Sequence, residues 1–204
     1  MTKDAFYGIL AAVDWNSQDW QGPSTPEDLD HANFNFVKEQ DIAYTSLNFG
    51  HLVFPAEESG YYRGFLPHLF SKSPDAEKSR HLAVIFIKSK DWHDGTTYLV
   101  GLYAFPVFKK ERIASPTAEI THDIETNIKS LTKHIHLLEN RINLSAHTEA
   151  TKFLPNDKKP GKMGYNYMNR INVEKLLDVI TAQNPDDKKL SSIKLNILRA
   201  LGNL

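Results

Sequence analysis

Cysteine is absent from the 204-residue chain, which excludes disulfides, thiolate zinc sites and cysteine nucleophiles together. A reducing compartment suits such a chain, and a cytoplasmic location is the expectation. Long hydrophobic runs are missing too. The apolar stretch Phe6 to Val13 is broken by Asp14, too short to span a bilayer or to serve as a signal peptide, so no membrane association is expected. There is no GxxxxGK phosphate loop, no GxGxxG after a strand, no GxSxG elbow and no HExxH pair, so the enzyme classes that depend on them lose support. Nine histidines are present, but His134 and His136 stand two apart and would point to different faces of a helix. Asp157-Lys158-Lys159 and Asp187-Lys188-Lys189 match the D-x-K tail of a nuclease pattern without a preceding strand or a second acid to bind magnesium. No catalytic residue, metal ligand or cofactor is therefore expected in this chain.

What is present is an ordinary globular composition, 41% hydrophobic and 24% charged, which suits one main core. The natural division is a nucleic-acid-binding domain over 1–170 and a helical appendage over 171–204. Formal net charge is only −1, but it is unevenly spread: residues 1–62 hold Lys3 and Lys38 against ten carboxylates, so the remaining chain sums to +7. Such asymmetry suits a phosphate-binding face; a solvated mixed surface gives the same sum.

The pattern along the chain predicts an α+β fold. A buried strand covers 6–13, and Ser24-Thr25-Pro26-Glu27-Asp28 opens a helix over 26–39. IAYTSLNF, HLVF and YYRGFL between Ile42 and Leu66 read as short strands. The runs 82–87 and 96–105, joined by a turn at Asp94-Gly95, read as an antiparallel hairpin. Apolar residues at Ile120, Ile124, Ile128, Leu131, Ile135 and Leu138 recur at intervals of three and four, which predicts an amphipathic helix. A basic loop over 153–169 follows. Asn172 is the expected cap of a helix over 173–182, and a last helix carries Leu190, Ile193, Ile197, Leu198 and Leu201 on one face, closing at Gly202.

Aromatic residues in polar turns carry the functional signal. Trp15, Asn16 and Trp20 flank one loop and Trp92 sits at the hairpin tip, where indole faces can sandwich an extruded base and Asp14 or Asn16 can read its edge. Large aromatics are mostly buried, so the same indoles would also serve simply to close the core. Ser59, Tyr61 and Arg63 lie beside glycines that permit close backbone approach. Lys88, Lys90, Lys158, Lys159, Lys162 and Arg170, with Arg63, are the candidate phosphate contacts.

Taken together, Trp15-Asn16, Trp20-Gln21-Gly22, the strand Tyr98-Leu-Val-Gly-Leu-Tyr103 and Gly161-Lys-Met-Gly-Tyr-Asn-Tyr-Met168 before Asn172 resemble the EVE-like members of the PUA-like superfamily. These are relatives of the YTH readers and occur at the N-termini of modification-dependent restriction proteins. Ser59-Gly60-Tyr61 is similar to the serine-glycine-aromatic turn of YTH domains. The resemblance implies a PUA-like curved β-barrel with flanking helices that takes a flipped modified base into an aromatic pocket. Asp14, Trp15, Asn16, Trp20, Ser59, Tyr61 and Trp92 would be its base-binding residues. The implied partner is double-stranded DNA carrying 5-methylcytosine or a derivative, with cleavage left to a nuclease or NTPase effector. A modified-RNA reader, a small hydrolytic enzyme using histidines and carboxylates, and an adaptor using the C-terminal helices are the alternatives.

Overall fold

The computed structural model describes residues 5–32, 43–67, 80–145 and 164–202, together with Val37, Pro74 and Phe153. The fold is α+β. In chain order it comprises β1 (Gly8–Val13), α1 (Pro26–Asp30), two 3-10 turns (Tyr44–Leu47 and Gly50–Leu52), β2 (Tyr61–Gly64), β3 (Val84–Lys90), β4 (Thr97–Ala104), β5 (Val107–Ile113) and β6 (Ile124–Leu131). A third 3-10 turn (Thr132–His134), β7 (Ile135–Asn143), β8 (Tyr165–Met168), α2 (Arg170–Gln183) and α3 (Lys188–Gly202) complete it.

The strands form a five-stranded sheet, β7-β4-β3-β1-β8, and a three-stranded sheet, β2-β6-β5. β1 runs parallel to β3, and every other pairing is antiparallel. Side chains alternate across a strand, and both faces of the large sheet are covered. Leu10, Phe86, Leu99 and Leu102 face α2 and α3, which contribute Val173, Leu176, Leu177, Ile180, Leu190, Ile193, Ile197 and Leu201. Their spacing of three and four makes one apolar stripe per helix, and each fully buried Leu or Ile contributes about 1.5–3 kcal/mol. Ile9, Ala11, Val13, Ile85 and Ile87 face the other way and pack with Trp15, Trp20, Phe49, Tyr62 and Ile128 between the two sheets.

The sheets share chain at two corners. β4 runs into β5 through Phe105, whose φ is 50°, and β6 runs into β7 through Thr132–His134. Among the described residues each sheet keeps two edge strands, so no ring of strands closes. No helix among them is long and apolar enough to cross a membrane.

Several sequence expectations are overturned. The helix expected through Ile120–Leu138 is β6 and β7. Its alternation is hidden because Thr126 and Ser130 fill buried positions of β6, their hydroxyls donating to Glu111 and Ala104 carbonyls. The strands expected at 42–54 are 3-10 turns where described. There Asn48 serves as a strand partner for Phe65, bonding its carbonyl at 3.0 Å and its N–H at 2.7 Å, and a Cβ on Gly50 would lie 2.2 Å from the Tyr62 hydroxyl. Helix α1 stops at Asp30; most of the rest of the expected 26–39 helix lies outside the described residues. Helix α2 starts earlier than expected, because Asn169 rather than Asn172 caps it, accepting from Asn172 N at 2.9 Å.

Candidate functional site

Because β1 and β3 are parallel neighbours, paired from Gly8↔Val84 to Val13↔Ser89, they stop at the same end of the large sheet. The loop after Val13 and the tip of the β3–β4 hairpin therefore emerge side by side. Ser89 ties the two strands with a hydroxyl bond to the Val13 carbonyl at 3.0 Å. β8 enters at this end as well, where Ala12 N donates to the Gly164 carbonyl at 3.2 Å.

The first loop is organised by Asn16. Its Oδ1 accepts from the N–H groups of Gln18 (2.9 Å) and Trp20 (3.0 Å), and its Nδ2 donates to the Gly22 carbonyl (3.2 Å) and Ser24 Oγ (3.1 Å). That amide is thus spent inside the loop. Asp19 and Trp20 both sit at φ 56°, a left-handed conformation unfavourable for a bulky residue and costing about 1–3 kcal/mol each. The pair is held by the Asn16 bonds, by Trp20 Nε1 donating to the Asp14 carbonyl at 2.9 Å, and by Phe49 N donating to the Trp20 carbonyl at 3.0 Å. Trp20 is 0% exposed and stands edge-on to Trp15 at 5.6 Å and to Phe49 at 6.1 Å. It offers no ring face to a ligand. Asp14 is buried beside it, and Trp15 is 8% exposed.

Asp28 joins this loop to the hairpin tip. Its carboxylate, 2% exposed, accepts from Ser17 N (3.0 Å), Ser17 Oγ (2.7 Å), Thr25 N (3.1 Å) and Trp92 Nε1 (3.0 Å). Burial by itself raises the carboxyl pKa, but the bonds from Trp92, Ser17 and Thr25 outweigh it and hold the group below its ordinary value. Asp28 also completes a capping box with Thr25. The sequence signal for its capping role was there in Ser24-Thr25-Pro26-Glu27-Asp28, but nothing local showed that Trp92 would be its partner. Trp92 itself stacks on His31 at 4.4 Å and on His93 at 3.6 Å.

Arg141 is the functional candidate that the sequence reading missed. β4 and β7 pair Gly101 with Leu137 but Leu99 with Ile142, so Leu138, Glu139, Asn140 and Arg141 all stand opposite Val100. Bulges re-aim side chains. This one sends Asn140 to the end of α2, where it exchanges bonds with Asn184 at 2.8 and 3.1 Å. It sends Arg141 to the Trp15 loop. The guanidinium lies 5.1 Å from the Trp15 ring and 5.5 Å from the Trp20 ring, and is ion-paired with Asp19.

The remaining predicted residues lie elsewhere. Ser59, Tyr61 and Arg63 belong to β2 and its preceding turn, in the small sheet. There Ser59 Oγ donates to Glu57 (3.1 Å), Lys129 Nζ lies 5.1 Å over the Tyr61 ring, and Arg63 is paired with Glu57 (2.5 Å) and Glu111 (3.1 Å). A cleft of about 80 Å³ is lined by Tyr44, Tyr61 and Arg63, and one of about 270 Å³ by Ser24, Tyr44 and His122. Lys88 is 5% exposed, and burial pulls its pKa down to about 8, so it is not a surface phosphate contact. Lys90 is exposed at the hairpin end. Arg170 stands beyond Met168, which pairs with Gly8 at the far end of β1. There it bonds Glu174 (2.7 Å) and the Leu201 carbonyl (3.1 Å), so it is removed from the Trp15 site by the length of the strand. Lys158, Lys159 and Lys162 lie outside the described residues, as does Asp157.

The second D-x-K match is structural: Asp187 accepts from Leu190 N at 2.8 Å at the start of α3 and pairs with His136 Nε2 at 2.7 Å. Among the described residues no group of three or more His, Asp or Glu side chains could hold a metal ion. Comparison with family models gives no match, and neither does comparison with curated proteins.

Proposed function

We propose that the chain reads nucleic acid by taking one extruded base, 5-methylcytosine or a derivative in DNA, at the end of the large sheet where β1 and β3 stop. The observation that carries this reading is the meeting there of two loops: the Trp15 loop, with Arg141 over the Trp15 ring, and the hairpin tip, which Trp92 Nε1 ties to the Asp28 carboxylate of the helix that follows the Trp15 loop. Indole faces bind a base in any sequence context, and a guanidinium serves either a base face or a phosphate. The strained Asp19–Trp20 pair adds support, because strain held by many bonds is concentrated at binding sites. In this reading Trp15 contacts the base, while Asn16, Trp20, Asp28 and Trp92, itself stacked on His31 and His93, position the loops around it. Lys90 and the basic run Lys158–Lys162 supply phosphate contacts. Ser59, Tyr61 and Arg63 would meet flanking nucleotides rather than the base.

The proposal includes a PUA-like architecture, supported by two sheets that the chain joins at two corners and that pack against one core between them. Cleavage falls to a nuclease or NTPase effector. The test is a binding panel of duplexes bearing cytosine, 5-methylcytosine or 5-hydroxymethylcytosine, with RNA of the same sequence, read with and without magnesium. Preference for one modified duplex without cleavage supports the reading, and preference for RNA would redirect it. Equal affinity for all duplexes removes the base-reading half.

A further inference from the structure

Arg141 covers the Trp15 ring on which the base would stack. Trp15 is packed on one side against the loop it begins, edge-on to Trp20, and Arg141 lies over its ring. A guanidinium is planar and delocalised, and stacks on an indole much as a nucleobase does. Nothing in the regular geometry of β7 would bring Arg141 there; the bulge opposite Val100 does. The same bulge is pinned by Asn140 to Asn184 from the helix side, and its Arg141 side chain reaches the Trp15 ring. Asp19, at its left-handed φ of 56°, holds the far end of the guanidinium in an ion pair whose carboxylate is half-exposed and whose guanidinium is largely buried. Water reaches the carboxylate side of such a pair and weakens it there.

We infer that Arg141 is a removable cover: its guanidinium occupies the stacking position on Trp15 in the free protein, yields that position to the incoming base, and then pairs with a phosphate of the same strand. The inference rests on the base-reading proposal and adds a residue and an order of events to it. Three features argue for exchange rather than a static contact. The cover is the only charged group recorded over the Trp15 ring among the described residues, its counter-ion is a single half-exposed carboxylate, and its chemistry suits both the indole it leaves and the phosphate it would reach.

The experiment uses full-length protein labelled with 5-fluorotryptophan, whose three tryptophans give separate fluorine lines; the Trp15 line is the one lost in Trp15→Phe. Wild type, Arg141→Lys and Arg141→Gln are compared, first by melting to show that all three fold, then by titration with a 5-methylcytosine duplex over a range of salt. Arg141→Gln keeps length and planarity but no charge, and Arg141→Lys keeps charge without the planar fork. The expected result is that duplex moves the Trp15 line in wild type, and that both substitutions shift that line in the free protein. The slope of log affinity against log salt should be shallower by about 0.9 in Arg141→Gln and unchanged in Arg141→Lys, the loss of one phosphate contact. If wild type binds the duplex but its Trp15 line stays still, or Arg141→Gln keeps the full slope, Arg141 is a structural brace and the inference fails alone. If wild type binds no duplex at low salt, the base-reading proposal falls and this inference with it.

Discussion

Replacing Asp28 by asparagine changes little in shape but converts one of two acceptor oxygens into a donor. In the native site Oδ1 accepts from Ser17 Oγ and Trp92 Nε1, while Oδ2 accepts from the N–H groups of Ser17 and Thr25. An amide keeps the two backbone donors on its oxygen and turns its NH2 towards the other pair, where the Ser17 hydroxyl can rotate to accept from it but Trp92 Nε1 cannot. One buried donor is left without an acceptor, at about 1–3 kcal/mol. In a chain of this length about 2–4 °C of melting temperature accompanies each kcal/mol, so the variant should melt about 3–12 °C lower. The pH dependence gives a second signature. Because the folded carboxyl pKa lies below its ordinary value of 3.8, the unfolded chain binds a proton first on acidification. The Asp28 contribution is therefore complete above about pH 3.8 and is lost as pH falls through the folded value. Thermal melts between pH 2.5 and 6 should show the gap between wild type and Asp28→Asn closing at the acid end. Melting within 2 °C of wild type at pH 6, or a gap independent of pH, would refute the account of Asp28 as the ionised joint between the Trp15 loop and the hairpin tip.

Trp15→Leu and Trp20→Leu should part company: the first should weaken modified-duplex binding by about tenfold or more with a modest fall in melting temperature, the second should melt far lower while its folded fraction discriminates normally. Equal loss of discrimination in both, measured by anisotropy beside calorimetry, would show that the two indoles act as one unit. Burial, with the nearby Lys189 charge and His136, pushes the His51 pKa down to about 4 from an ordinary 6.5. Between those values the unfolded chain holds the extra proton, so stability should fall by about 1–3 kcal/mol as pH drops from 6.5 to 4; His51→Gln should flatten that slope in urea titrations. Arg170→Ala should cost no more than about 1 kcal/mol and leave duplex affinity unchanged, and a tenfold loss of affinity would return Arg170 to the binding surface.

Strand β1, the β3–β4 hairpin and the last helix were legible because their apolar residues alone mark them. In β1 and β3 both faces are buried, so runs such as Val84–Ile87 are continuous, and in α3 a single face is buried, so leucines and isoleucines recur every three or four residues. β6 was unreadable for the opposite reason: Thr126 and Ser130 point inward and are satisfied by carbonyls of the neighbouring β5 and of β4, leaving Ile124 and Ile128 at a spacing that imitates a helix. Within the site, the grouping of Trp15 with Trp92 followed from loops at strand ends, and the parallel pairing of β1 with β3 is what brings them together. Arg141 was invisible because its position depends on a bulge, a mismatch between two strands that neither strand's sequence states alone. Asn16 and Trp20 were read as ligand groups because sequence gives their chemistry but not whether that chemistry is already spent on the loop.

The measurement that tests the central claim most directly is the affinity of the wild-type protein for one duplex carrying a single 5-methylcytosine and for its unmodified twin, each at 50 and 200 mM salt. A reader that stacks the modified base on Trp15 predicts tighter binding of the modified duplex by tenfold or more at both concentrations, with both affinities falling steeply as salt rises. Identical affinities for the two duplexes, or binding indifferent to salt, would contradict it.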